Sequence, residues 1–101
     1  MRTRLNPKDR KEFILDAAID LSKIIGYKNI SRDGIAGHAN VSMGLINKYF
    51  GTIENLRDAV MESSIKKEII EIIAQGLGVK DPQAQNAPQY LKDKALLYLA
   101  R

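Results

Sequence analysis

The stretch SRDGIAGHANVSMGLINKYFGT, residues 31–52, decides the fold. Ser31 and Ser42 each precede a short run with helical spacing and are typical N-cap residues. The turn Asn40-Val41 separates the two runs, and asparagine readily adopts the left-handed backbone of such turns. Two short helices at this spacing predict a helix-turn-helix, whose second helix fits the major groove of DNA. The two predicted helices span about 32–39 and 43–50.

Upstream of this stretch, the sequence predicts one helix of about five turns. Asn6 can cap it, Pro7 suits its first position, and Gly26 can end it. Its apolar residues recur at three- and four-residue spacing and should face a shared core: Phe13, Ile14, Ala17, Ala18, Leu21, Ile24 and Ile25.

Downstream, Thr52 is predicted to cap a longer fourth helix that continues to about Ala74 or Gln75. This helix has two apolar stripes, and a three-helix head can bury only one of them. The other stripe is therefore expected to contact the C-terminal helix, a partner subunit, or both. The stripes are Leu56, Ala59, Val60, Ser63, Ile70 and Ile73, and Met61, Ile65, Ile69 and Ile72.

Gly76 and Gly78 are predicted to end the fourth helix, and residues 76–88 to form a polar connector. A last helix over about 89–101 follows. The expected fold is all-α: a three-helix helix-turn-helix head, a longer fourth helix and a short C-terminal helix. Within one compact domain we expect residues 1–57 to form the DNA-binding head and 58–101 a helical dimerisation or packing segment, with no separate ligand domain.

Positive charge is concentrated in the first part of the chain. The net charge is +4, and residues 1–57 carry ten basic and six acidic side chains, against six and six in 58–101. This placement suits a surface that binds a polyanion, although a merely solubilising basic face would give the same pattern. Arg2 and Arg4 precede the first helix on an arm that either enters the minor groove or stays a disordered tail.

Several function classes are disfavoured by the composition. The chain has no Cys and one His, so neither a disulfide framework nor a zinc site is expected, and we predict no metal and no cofactor. The sequence has no Gly-rich phosphate loop or paired nucleophile, and the acidic residues of the first helix fit a solvated face, so no enzyme is predicted. No run approaches the roughly 20 apolar residues of a membrane span. We therefore expect no membrane association and a cytoplasmic location.

The stretch from Ile14 to Val60 resembles the N-terminal domain of TetR-family regulators. The matching pieces are ILDAAIDL, GYKNIS, IAGHANVSMGLINKYFGTIENL and AV. The resemblance implies a dimeric, repressor-like protein whose third helix reads a palindromic operator. Most members have a second domain that binds a small inducer, and few residues follow the fourth helix here. We therefore expect a minimal member without a small-molecule inducer; the alternative is a piece of a longer regulator.

The outward side of the third helix supplies the candidate base-reading residues. Asn47 can bond adenine through both amide atoms, Met43 can contact a thymine methyl group, and Gly44 would allow close approach of the backbone. Simple solvent exposure is the competing interpretation for each of them. The full predicted set is Ser42, Met43, Gly44, Asn47 and Lys48.

Phosphate contacts are expected around the helix termini. The predicted residues are Ser31, Arg32, His38, Tyr49 and Thr52. Ser31, Ser42 and Thr52 also have a purely structural role as caps. Two positions depart from the family pattern, because lysine is usual at the position of Ile53 and an aromatic residue at that of Asn47. Lower affinity for each half-site is the expected consequence.

A homodimer on double-stranded DNA is the expected assembly, with dimerisation residues predicted at Ile65, Ile69, Ile72, Leu91 and Tyr98. The alternative function is a protein-interaction module that forms heterodimers with another regulator. The confined positive charge disfavours this alternative, whereas the short chain favours it.

Overall fold

The computed structural model describes residues 6–101, and within this range the chain is helical, with no strand. The all-α prediction is confirmed. The helices are α1 (Pro7–Ile25), α2 (Arg32–Ala39), α3 (Met43–Tyr49), α4 (Ile53–Lys66), α5 (Ile70–Gly78), α6 (Pro82–Gln85) and α7 (Gln89–Ala100). No helix among these residues is long and apolar enough to cross a membrane.

The first three helices start at the predicted caps. The side chain of Asn6 accepts a hydrogen bond from the backbone N–H of Asp9 at 2.8 Å, which satisfies one of the free amides at the start of α1. Gly26, with φ of 92°, follows the end of α1, as predicted. The tight turn after α2 also has its predicted conformation, because Asn40 lies in the left-handed region with φ of 57°.

The single long fourth helix was a wrong prediction, because the chain breaks between α4 and α5. Glu68 adopts φ of 56°, and the backbone N–H of Ile69 donates to the carbonyl of Ser64. The Lys67 ammonium lies 2.6 Å from a carboxylate oxygen of Glu12 and 2.7 Å from one of Asp16, both on α1. These contacts attach the break to α1.

Gly76 does not end a helix, contrary to the prediction, but lies within α5. A Cβ at Gly76 would be 2.6 Å from Cε of Met61 and 2.7 Å from Cβ of Ala84, so glycine allows α5 to approach α4 and α6. The predicted polar connector contains the short helix α6. Asp81 caps this helix by accepting a hydrogen bond from the backbone N–H of Gln83 at 2.9 Å.

The second apolar stripe of the predicted fourth helix is covered by the chain itself. Met61 and Ile72 are fully buried in the core that α1, α2 and α3 share with α4 and α5. Leu91 is 1% exposed in a second cluster, in which α5 packs against α7. The prediction that Ile72 and Leu91 meet a partner subunit is therefore corrected. Ile65, Ile69 and Tyr98 are partly buried against the same two clusters.

Hydrogen bonds join the loop after α1 to the C-terminal helices. The Tyr27 hydroxyl donates to a carboxylate oxygen of Asp81 at 2.6 Å, in a buried position. Gln75 accepts from the backbone N–H of Tyr27 at 2.7 Å and donates to the carbonyl of Ser22 at 3.1 Å. Burial raises the pKa of the Tyr27 phenol, and so does its bond to Asp81. The position of the head is thus linked to α5 and α6.

Candidate nucleic-acid interface

Two short helices and their turn form the candidate interface. After α2, the backbone N–H of Val41 donates to the carbonyl of Ala36 at 3.0 Å, which closes the turn at Asn40. The Ser42 hydroxyl oxygen then accepts from the backbone N–H of Leu45 at 3.2 Å and starts α3. This arrangement is a helix-turn-helix, in which α3 occupies the position of the groove-reading helix.

The third helix has one buried side and one open side. Ile46 is fully buried and anchors α3 to the core. Gly44, Asn47 and Lys48 are exposed and, at spacings of three and four residues, share one face. Ser42 is exposed at the start of the helix.

Met43 differs from the other predicted base-reading residues, because it is only half exposed and packs against the core. The Lys48 ammonium lies 5.6 Å from the ring centre of Tyr49, within the range of a cation–π contact. The open face of α3 is thus mainly polar, with the Met43 side chain at its edge.

Arg32 connects the two helices of the motif. Its Nη1 donates to the side-chain oxygen of Asn47 at 2.7 Å and to the backbone carbonyl of Gly51 at 3.0 Å. Arg32 and Asn47 were predicted separately, as a phosphate contact and a base reader, and the structure brings them together. Nothing in their sequence separation of fifteen residues indicates this contact.

Three of the predicted phosphate contacts lie on the open surface. Ser31, His38 and Thr52 are exposed. The hydroxyl oxygens of Ser31 and Thr52 accept from the backbone N–H groups of Gly34 and Asn55, at 3.0 and 3.1 Å. Their structural role as caps is therefore confirmed, and each hydroxyl hydrogen remains able to donate to a phosphate.

The Tyr49 prediction is corrected, because the phenol oxygen is buried and has no hydrogen-bond partner within the described part of the chain. In this structure it cannot reach a phosphate. Arg2 and Arg4, the predicted minor-groove arm, lie outside the described residues.

Arg57 was missed by the sequence reasoning. It lines a cleft of about 280 Å³ together with Ser31, Arg32, Met43 and Ile53. Its Nη2 donates to the carbonyl of Ile30 at 3.2 Å. Arg57 lies one helical turn beyond Ile53, the position at which the resemblance to the family implies a lysine, and this spacing could have indicated it. A positive group is therefore present near the start of α4 despite the apolar residue at position 53.

No group of three or more His, Asp or Glu side chains among residues 6–101 is arranged to hold a metal ion.

Comparison with known families agrees with this geometry. Residues 14–60 match the family described as bacterial regulatory proteins, tetR family. The match includes α2, the turn and α3, and it starts within α1 and ends within α4. Comparison with curated proteins and with solved structures gave no match.

The fold and the family match together indicate a class of protein, the DNA-binding transcriptional regulators with a helix-turn-helix. Residues 14–60 are similar to the helix-turn-helix domain of the TetR family.

Proposed function

We propose that the protein is a homodimeric repressor that reads a palindromic operator with α3. The observation that carries this proposal is the open face of α3, where Gly44, Asn47 and Lys48 are exposed while Ile46 holds the helix on the core. An exposed polar face on a single helix suits the major groove, which admits one α-helix.

Base contacts are assigned to the open face of α3 and phosphate contacts to its surroundings. Asn47 and Lys48 would reach base edges, with Ser42, Met43 and Gly44 beside them. Ser31, His38, Thr52 and Arg57 would contact the sugar–phosphate backbone on either side. Contacts to phosphate fix the position of the protein, whereas contacts to bases select the sequence.

Support for a dimer comes from the outer side of α7. Leu96, Leu97 and Leu99 lie close together on this helix and are 54%, 73% and 52% exposed. Apolar side chains grouped in this way commonly mark a protein-interaction surface. A two-fold dimer would present two copies of α3 to half-sites about 34 Å apart, which is one turn of DNA.

The residues of the proposed dimer surface differ from the original prediction. Tyr98 is partly buried next to the exposed leucines, and Ile65 and Ile69 lie partly buried near the break after α4. In this proposal, residues 1–57 form the DNA-binding head and residues 58–101 form the packing and dimerisation segment, and α4 joins the two. Repression would follow from occupation of the operator, in the cytoplasm and without a small-molecule inducer.

The test is selection of bound sequences from a random duplex pool at two salt concentrations. One enriched palindrome, with affinity that falls steeply as salt rises, is the expected result. Salt-sensitive binding without an enriched motif would contradict operator reading. Absence of DNA binding, together with capture of another regulator, would instead favour the protein-interaction module.

The dimer is tested with Leu97→Glu, which places a charge on the exposed side of α7. We expect this variant to sediment as a monomer and to bind a full palindrome no better than a single half-site. Val79→Glu is the matched control, because Val79 is also exposed, at 52%, but lies outside α7. Equal sedimentation of the Leu97 variant and the parent protein would refute this dimer surface.

A further inference from the structure

We infer that Arg32 determines which base Asn47 recognises, and that the pair prefers guanine over adenine. The inference rests on the proposed function, and it changes the role of both residues. Arg32 becomes a positioning residue for base recognition in addition to a source of positive charge.

The contact itself fixes the orientation of the amide. An arginine side chain has only donors, so the Asn47 atom that faces it must be the carbonyl oxygen Oδ1. Nη1 has two hydrogens, and its two bonds, to Asn47 and to the Gly51 carbonyl, use both of them. The Gly51 carbonyl belongs to the turn after α3, where φ is 73°. The guanidinium is thereby held between this turn and the amide.

The part of Asn47 that is left for DNA is its amide nitrogen. Nδ2 forms no hydrogen bond within residues 6–101, and the side chain is exposed. Of the hydrogen-bonding groups of Arg32, Nη2 has no partner in that range either. Asn47 and Arg32 together therefore present several free donors, whereas their one acceptor, the Asn47 oxygen, has one of its two lone pairs engaged by Arg32.

A surface of donors distinguishes the two purines. Adenine offers one acceptor, N7, and one donor, the N6 amino group, so its bidentate recognition requires a free amide oxygen as well as a donor. Guanine offers two acceptors, N7 and O6, in the same part of the groove. Because Arg32 already uses one of the two lone pairs of the Asn47 oxygen, the N6 amino group of adenine would have to share that oxygen with the guanidinium. Both acceptors of guanine, in contrast, would find free donors.

The experiment measures binding to a set of duplexes that carry each base at every position of the selected operator. The position read by Asn47 is identified as the one where Asn47→Ala loses its base preference. At that position the parent protein should bind guanine at least about fivefold more tightly than adenine, the lower end of what a good bidentate contact provides.

Arg32→Ala frees the amide oxygen and should reduce this preference to about one or reverse it toward adenine. Arg32→Met keeps most of the side-chain length, removes every donor, and should give the same shift. Arg101→Ala is the matched control, because it removes an arginine from the end of the chain, where the guanidinium lies over the Tyr98 ring, and should keep the preference for guanine.

The outcomes separate the inference from the proposed function. If both Arg32 variants weaken every duplex by the same factor and still prefer guanine, Arg32 is a plain phosphate contact and the inference is wrong. A parent protein that prefers adenine at the Asn47 position would also overturn it, while operator reading would stand. If no motif is enriched from the random pool, the proposed function and the inference both fail.

Discussion

A single methyl group added at Gly76 should destabilise the whole fold, because there is no room for it. An ideal Cβ at this position lies 2.6 Å from Cε of Met61 and 2.7 Å from Cβ of Ala84. The Met61 methyl group ends a flexible side chain and can move aside. The Ala84 Cβ is attached directly to the backbone, so α6 itself would have to shift.

The expected size of the effect follows from two opposing terms. Overpacking of a close contact typically costs about 1–3 kcal/mol. Replacement of a helical glycine by alanine returns about 0.5–1 kcal/mol where the backbone tolerates it. Gly76→Ala should therefore lower the free energy of unfolding by up to about 2.5 kcal/mol, with about 1 kcal/mol as the middle of the range.

Urea unfolding followed by circular dichroism measures this change, at one fixed protein concentration because dimerisation would add to stability. Gly78→Ala is the matched control, since a Cβ there meets no atom within 4 Å. It should leave stability unchanged or raise it by up to about 1 kcal/mol. If Gly76→Ala proves as stable as Gly78→Ala, the close packing of α5 against α4 and α6 is refuted.

Three further predictions follow from named contacts. Tyr27→Phe should cost about 1–3 kcal/mol, because buried Asp81 loses a hydrogen-bond donor. Because the pKa of Tyr27 is raised in the folded state, its contribution to the free energy of unfolding is fully present below about pH 10 and is lost as pH rises through the folded-state pKa. At alkaline pH, the free energy of unfolding of Tyr27→Phe should therefore decrease less steeply with pH than that of the parent protein. Lys67→Ala should lower the free energy of unfolding by at most about 1 kcal/mol, because the carboxylates that Lys67 contacts are largely exposed. This effect should shrink in high salt and should be absent from the control variant Lys66→Ala. Ser42→Ala should lower thermal stability by about 1 kcal/mol through loss of an N-cap, and an unchanged melting temperature would argue against that cap.

The first three helices could be predicted from sequence because their ends are decided locally. Each begins at a side chain that accepts hydrogen bonds from nearby amides, such as Asn6 or Ser31, and the turns at Gly26 and Asn40 use residues that tolerate positive φ. The open face of α3 was also foreseen, because helical spacing alone separates Ile46 from Asn47.

The break between α4 and α5 could not be predicted in this way. Apolar residues continue at helical spacing through it, and neither glycine nor proline marks it. Tertiary contacts accompany the break, chiefly those of Lys67 with α1, more than fifty residues earlier. For the same reason, the Arg32–Asn47 bond was missed, since it depends on how separate helices pack.

The central claim, that α3 reads DNA, is tested most directly by nuclear magnetic resonance with the isotope-labelled protein and its selected operator. The account predicts that the largest changes in amide chemical shift fall on Met43–Lys48 and on Ser31 and Arg32, and that they disappear with Asn47→Ala on the same duplex at raised salt. Changes concentrated on α7, with the α3 amides unaffected at saturating DNA, would contradict it.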